Sequence, residues 1–149
     1  MSGIKHVDKS FIGCDPSLSE RYTEIYGDKD KNHLKHDDFA CLCCGISLVD
    51  KGFLRRINRL IDKLGEKVEI SSGYRCPKYN AELGGSKNSA HVNGIAIDIK
   101  EDSARAKRKI VNVAIAMGFM GIGVYNKHIH LDDNKRWHGK EVIWSGSSK

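Results

Sequence analysis

Two short segments of this chain alternate with period two, and each carries metal-ligand side chains opposite its apolar face. In Gly94 to Ile99, Ile95, Ile97 and Ile99 point one way while Ala96 and Asp98 point the other. In Lys127 to Asp132, Ile129 and Leu131 oppose His128, His130 and Asp132. Such alternation predicts half-buried strands. With the isoleucine faces in the core, Asp98 and the histidines point the opposite way. Six residues separate His91 from Asp98, and Gly94 between them lets the backbone turn into the strand. Ala96 is small and leaves room beside Asp98.

A hydrolytic Zn²⁺ site takes three protein ligands from His, Asp or Glu and keeps one position for water. His91, Asp98 and His130 supply that number. A carboxylate ending an apolar strand is costly unless compensated, and a cation removes the cost. Residues two apart on a strand lie ~6.6 Å apart on one face. One imidazole of His128-Ile129-His130 can therefore bind metal while the other stands in reach of its water. A lone His would be read as structural. His6, His33, His36 and His138 have no such company and are left as surface residues.

These elements resemble a known family. Ser89-Ala90-His91 through Asp98 resembles the metal motif of zinc D-alanyl-D-alanine peptidases, whose fold is shared with the Hedgehog signalling domain. Ser72-Gly73-Tyr74-Arg75 resembles the family's SGYR element, and Asn80 to Ser89 its Gly-Gly loop. His130-Leu131-Asp132 and Trp137 resemble its C-terminal His-x-Asp and Trp. The similarity runs over roughly residues 36 to 145 and is strongest to single-domain forms from bacteriophages and bacteria. It implies His91, Asp98 and His130 as ligands of one zinc ion, with Arg75 holding a substrate carboxylate or the developing oxyanion. The vancomycin-resistance branch uses a Glu in Glu-x-Trp-His as base. This chain lacks that motif, and His128 is the natural substitute, as in relatives with His-x-His.

The remaining candidates keep two readings each. Arg75 follows a tight turn ahead of the metal loop, which favours a functional role over a surface one. Asp132 shares a face with His130 and could orient its imidazole, or serve a turn. Ser89 could bond substrate backbone or cap its loop. Tyr74, Tyr125 and Trp137 are read as packing around the cleft.

At 149 residues the chain suits one domain: an irregular N-terminal arm over 1–35, then the zinc peptidase domain over 36–149. The arm is polar and lacks periodicity. Asp50 caps a helix to Leu64, which Gly65 ends, with Leu54, Ile57, Ile61 and Leu64 as its stripe. Val68 to Ser71 reads as a strand, Pro77 to about Leu83 as a short helix. Asp102 or Ser103 caps a helix ending near Met117, with Ile110, Ala114 and Met117 buried. Phe119 to Tyr125 and His128 to Leu131 read as a hairpin, and Glu141 to Trp144 as an edge strand. The fold class is α+β, with a small, mostly antiparallel sheet and flanking helices, as in the Hedgehog and DD-peptidase fold.

Net charge is +6, from 25 basic and 19 acidic side chains, which favours polyanions such as nucleic acid or anionic wall polymers. Stacking motifs, finger spacing and a recognition helix are missing, so nucleic acid is not expected. Arg105, Lys107, Arg108 and Lys109 read as a solvated helix face. No membrane span and no secretory signal is recognisable. Synthesis in the cytoplasm, action at the bacterial cell wall after release, and a monomer are expected. Of five cysteines, Cys41 and Cys44 have C-x2-C spacing, without a second pair. Cys76, His33 or His36 could complete a site, but nothing in the sequence forces them together. Small buried hydrophobes and surface thiols are the preferred reading.

The expected function is a zinc peptidase cutting peptidoglycan stem peptides, as a D-Ala-D-Ala carboxypeptidase or an endolysin-like endopeptidase. His128 would move the proton of the attacking water. The alternatives are a non-catalytic zinc-stabilised binding module of the same fold, with His128 as fourth ligand, and a basic nucleic-acid binder.

Overall fold

The computed structural model describes residues 31 to 147. The arm expected over residues 1–35 falls almost wholly outside them. A 3₁₀ turn at His36–Phe39 opens the described part. Helix α1 spans Lys51–Leu64, strand β1 Glu69–Ser72, helix α2 Pro77–Glu82 and strand β2 Ala96–Lys100. Helix α3 spans Ala104–Ala116, followed by β3 Gly121–Val124, β4 His128–Asp132, a four-residue helix α4 Lys135–His138 and β5 Val142–Ser145.

Local chemistry sets the helix ends. The Asp50 carboxylate accepts from the Phe53 N–H at 2.9 Å and starts α1, and Gly65 at φ +73° ends it. Ser103 plays the same part for α3, accepting from Ala106 N–H at 3.3 Å. The apolar stripe of α1 includes Phe53 and Leu60 beside the four expected residues, and all six are buried.

The five strands form one sheet in the order β1-β2-β4-β3-β5. Its pairs are antiparallel except β3 with β5, which run parallel. The fold is thus α+β with a mostly antiparallel sheet. Register places Asp98 opposite His130, Ile97 opposite Leu131 and Ile99 opposite Ile129. One face therefore gathers isoleucine and leucine. Ile97, Ile99, Ile122, Ile129 and Leu131 pack with α1 and α3 in one core. Phe39, Phe53 and Phe119 run through it edge to face, with centroids 6.4 and 6.3 Å apart. The other face is left to Asp98, His128, His130 and Asp132.

Two lysines of the basic face of α3 hold backbone carbonyls of neighbouring elements, while Arg105 and Arg108 are exposed. Lys107 donates to the carbonyls of Tyr125 and Asn126, and Lys109 to that of Leu64 at the end of α1. Among the described residues, no helix is long and apolar enough to cross a membrane.

Candidate metal centre

The polar face of the sheet brings three ligand-type groups together. Suitable atoms of His91, Asp98 and His130 all lie within 4.8 Å of one another. Asp98 Oδ1 is 2.9 Å from His130 Nδ1 and 3.4 Å from His91 Nε2. A tetrahedron with metal–nitrogen bonds of ~2.1 Å has edges of about 3.4 Å, so the spacing suits Zn²⁺.

Hydrogen bonds behind the ligands fix their tautomers. His91 Nδ1 lies 2.7 Å from the Gly73 carbonyl, which can only accept. Its proton is therefore on Nδ1, and the Nε2 lone pair faces Asp98. His130 Nε2 lies 2.9 Å from the Asp132 carboxylate, which leaves Nδ1 to face the centre. This is the orienting position that Asp132 could take from its sequence place. Asp98 is anchored through its other oxygen, which accepts from the Arg75 guanidinium at 3.1 Å. Arg75 Nε donates in turn to Ser72 Oγ at 2.9 Å.

Backbone irregularities deliver these groups. A bulge between Ile70 and Ser72 places Ser72 opposite Asp98, under the Arg75 fork. Gly94 turns the chain at φ +71° between the metal loop and β2. A Cβ there would also strike the Leu48 carbonyl, so only glycine fits. A Cβ on Gly121 would collide with the Asp132 carboxylate and the His138 ring.

Charge explains the electrostatics. Burial alone would raise the Asp98 carboxyl, but the His130 imidazole bonded to it and the His91 imidazole beside it outweigh burial and hold the group far below the carboxylate range. Burial would lower His130, but Asp132 and Asp98 on either side raise it from 6.5 to about 9. Asp132 is held below its ordinary value, against its burial, chiefly by His130. In the metal-free protein His130 is therefore a cation up to about pH 9. A zinc ion bound at Nδ1 would have to displace that proton. Apparent zinc affinity should keep rising with pH up to about 9, where an ordinary imidazole would level off above 6.5. Competition with a chromophoric chelator across that range measures it. A plateau near 6.5 would show that the carboxylates do not hold the proton on His130.

The other candidates fall around this centre. His128 Nε2 lies 4.0 Å from Asp98 Oδ1, and its ring stacks on Tyr125 at 4.4 Å. It is outside the set whose ligand atoms converge. Ser89 Oγ accepts from the His91 N–H at 3.3 Å, which is the loop-capping alternative. Trp137 lies in α4, and its side chain is outside the described residues. Arg75 touches Asp98 directly, so Arg75→Lys should weaken zinc binding as well as turnover. A Lys cannot bridge Ser72 and Asp98 with one planar fork. The expected loss is about 10–100-fold in zinc affinity. Unchanged affinity by chelator competition would leave Arg75 to the substrate alone.

Two histidines left as surface residues are not on the surface. His138 Nε2 sits 3.1 Å from Asp132 Oδ2, extending the chain His130–Asp132–His138. Trp144 lies against both rings, at 5.5 Å from His130 and 5.6 Å from His138. The four-residue α4 returns His138 to the sheet, and no periodic signal marks so short a helix. His36 is buried at 2% exposure in the 3₁₀ turn. His33 does lie at the surface edge, 2.6 Å from Asp62, and His6 is outside the described residues.

No curated protein is significantly similar to the chain. Residues 32 to 132, more than half of the chain, match the family described as Peptidase M15. That match contains the SGYR turn, the metal loop, β2 and β4, the segments that build the centre. The chain belongs to the Peptidase M15 family, whose members are zinc-dependent metallopeptidases.

Proposed function

We propose that the chain hydrolyses a peptide bond in peptidoglycan stem peptides, with one zinc ion held by His91, Asp98 and His130. The observation that carries this reading is the convergence of those three ligands beside a fourth imidazole that stays outside their set. Zinc, when bound, supplies Lewis acidity to a scissile carbonyl and lowers the pKa of water from about 15.7 towards about 7.

The chain's own groups do the rest. His128 takes the proton of the attacking water and returns one to the leaving amine. Burial lowers its imidazole below the usual 6.5, with Asp98 pulling against that, so the ring is neutral at pH 7. Stacking on Tyr125 holds it in place. Arg75 offers positive charge to a substrate carboxylate or the developing oxyanion. Ser89 Oγ, while accepting from the His91 N–H, would still have its O–H to donate to substrate backbone. The excess of basic side chains suits anionic wall polymers as surroundings.

The competing reading is a closed zinc site with His128 as fourth ligand and no turnover. The distance from His128 Nε2 to Asp98 Oδ1, 4.0 Å, is what keeps it in view. Mass spectrometry of purified muropeptides, before and after incubation with the zinc-loaded protein, tests the proposal. Loss of the terminal D-alanine identifies a carboxypeptidase, and scission within the stem or its cross-link an endopeptidase. Intact muropeptides under conditions where zinc is bound would overturn it.

A further inference from the structure

A second set of ligand-type side chains converges away from the His/Asp centre. Cys41-Leu42-Cys43-Cys44-Gly45 forms a tight reversal. The Cys41 carbonyl accepts from Gly45 N–H at 2.8 Å, and Cys41 N–H donates to the Ile46 carbonyl at 2.7 Å. Gly45 has φ +71°, which the reversal needs. Across from this turn stands Cys76, the N-cap of α2, whose sulfur accepts from Tyr79 N–H at 3.4 Å.

The sulfurs of Cys41, Cys44 and Cys76 lie within 4.8 Å of one another. A tetrahedral zinc with Zn–S bonds of ~2.3 Å has sulfur–sulfur edges of about 3.8 Å, inside that limit. Cys41 and Cys76 are buried and Cys44 half-buried. Peptide N–H groups gather on the Cys41 sulfur: that of Cys76 donates to Cys41 Sγ at 3.3 Å, and those of Cys43 and Cys44 act on it too. N–H donors turned onto a sulfur stabilise it as thiolate, the form that binds metal. Packing alone calls for no such donors, and a disulfide would use two sulfurs and strand the third. The exposed Cys43 thiol stands against Cys76 on the solvent side.

We infer that Cys41, Cys44 and Cys76 bind a second, structural Zn²⁺ ion, with the fourth position on the solvent side where Cys43 stands. This goes beyond the single ion of the proposed hydrolysis and does not depend on that reading. It also gives the ion a task. Cys76 directly follows Gly73-Tyr74-Arg75, the segment whose carbonyl orients His91 and whose guanidinium anchors Asp98. Thiolate ligation would tie that segment to the turn at 41–45, adding to the Tyr74 N–H bond to the Phe39 carbonyl at 2.8 Å. The structural ion would hold in place the groups that orient the other centre.

The test uses the whole protein, reduced and loaded with zinc or with Co²⁺. Zinc content should be about two ions per chain, and about one in His91→Ala, where only the thiolate site remains. Co²⁺-loaded His91→Ala should show the strong near-ultraviolet sulfur-to-metal absorption that imidazole and carboxylate ligands do not give. Cys44→Ser in that background should lose the band. If Cys44→Ser does not fold, the band in the unaltered protein and zinc protection of the thiols from alkylation decide instead. Because the readout is a thiolate spectrum in a variant lacking the His/Asp centre, it stands or falls apart from peptidase activity. Absence of the band, or recovery of Cys41 and Cys76 as a disulfide in protein purified with zinc, would overturn the inference.

Discussion

Asp98→Asn should strip zinc from the His/Asp centre and abolish turnover. The substitution keeps the shape of the side chain and removes its charge. That charge faces four groups at once: His130 at 2.9 Å, Arg75 at 3.1 Å, His91 at 3.4 Å and His128 at 4.0 Å. An amide is a poor metal ligand, and its NH₂ would repel either the imidazole protons or the guanidinium. Loss of an orienting partner behind a ligand costs about 10–100-fold in metal affinity, so loss of the ligand charge should exceed about 100-fold. Arg75 is also left without its partner where its side chain is only 18% exposed. Isothermal zinc titration of the variant, with thermal unfolding as a control for folding, measures both effects. Zinc affinity within a few-fold of the unaltered protein would remove Asp98 from the ligand set.

The second large effect belongs to His128. As proton acceptor, its replacement by Ala should lower turnover by roughly 10²–10⁴-fold while zinc content at the His/Asp centre stays unchanged. As a fourth ligand, its loss would instead weaken zinc binding. As a packing partner of Tyr125, it would change neither by much. Turnover on a stem-peptide substrate and zinc stoichiometry, both on His128→Ala, separate the three. Lost turnover with zinc retained is the expected result. Loss of zinc would favour the closed, non-catalytic site.

What the sequence made legible follows from period and punctuation. Strands β2 and β4 announce themselves because isoleucine and leucine alternate with Asp98, His128 and His130, so their facing is dictated before any partner is known. Helix α1 is equally plain, since Asp50 and Gly65 bracket a 3.6-residue apolar stripe. The candidate centre was legible for the same reason: Asp98 and His130 sit on strands whose core faces are unmistakable, and His91 stands in the short loop that leads into β2. Three features were hidden. The parallel pairing of β5 with β3 depends on a connection through α4 that is too short to show periodicity. His138 reaches Asp132 only through that connection. Cys76, the N-cap of α2, meets Cys41 across 35 residues of chain and Cys44 beside it, a tertiary encounter that C-x2-C spacing alone does not reveal. Arg75 shows a subtler limit. Its position after the tight turn marked it as functional, while its bond to Asp98 depends on the β1 bulge, which no residue pattern in Glu69–Ser72 signals.

Everything proposed for the polar face of the sheet depends on His91, Asp98 and His130 together holding a zinc ion. Anomalous diffraction at the zinc absorption edge, from crystals of the zinc-loaded protein, tests it most directly. A strong anomalous peak is expected between His91 Nε2, Asp98 Oδ1 and His130 Nδ1, with the His128 ring beside it and not bonded to it. A map with no peak there, or with anomalous density at the cysteines alone, would contradict it.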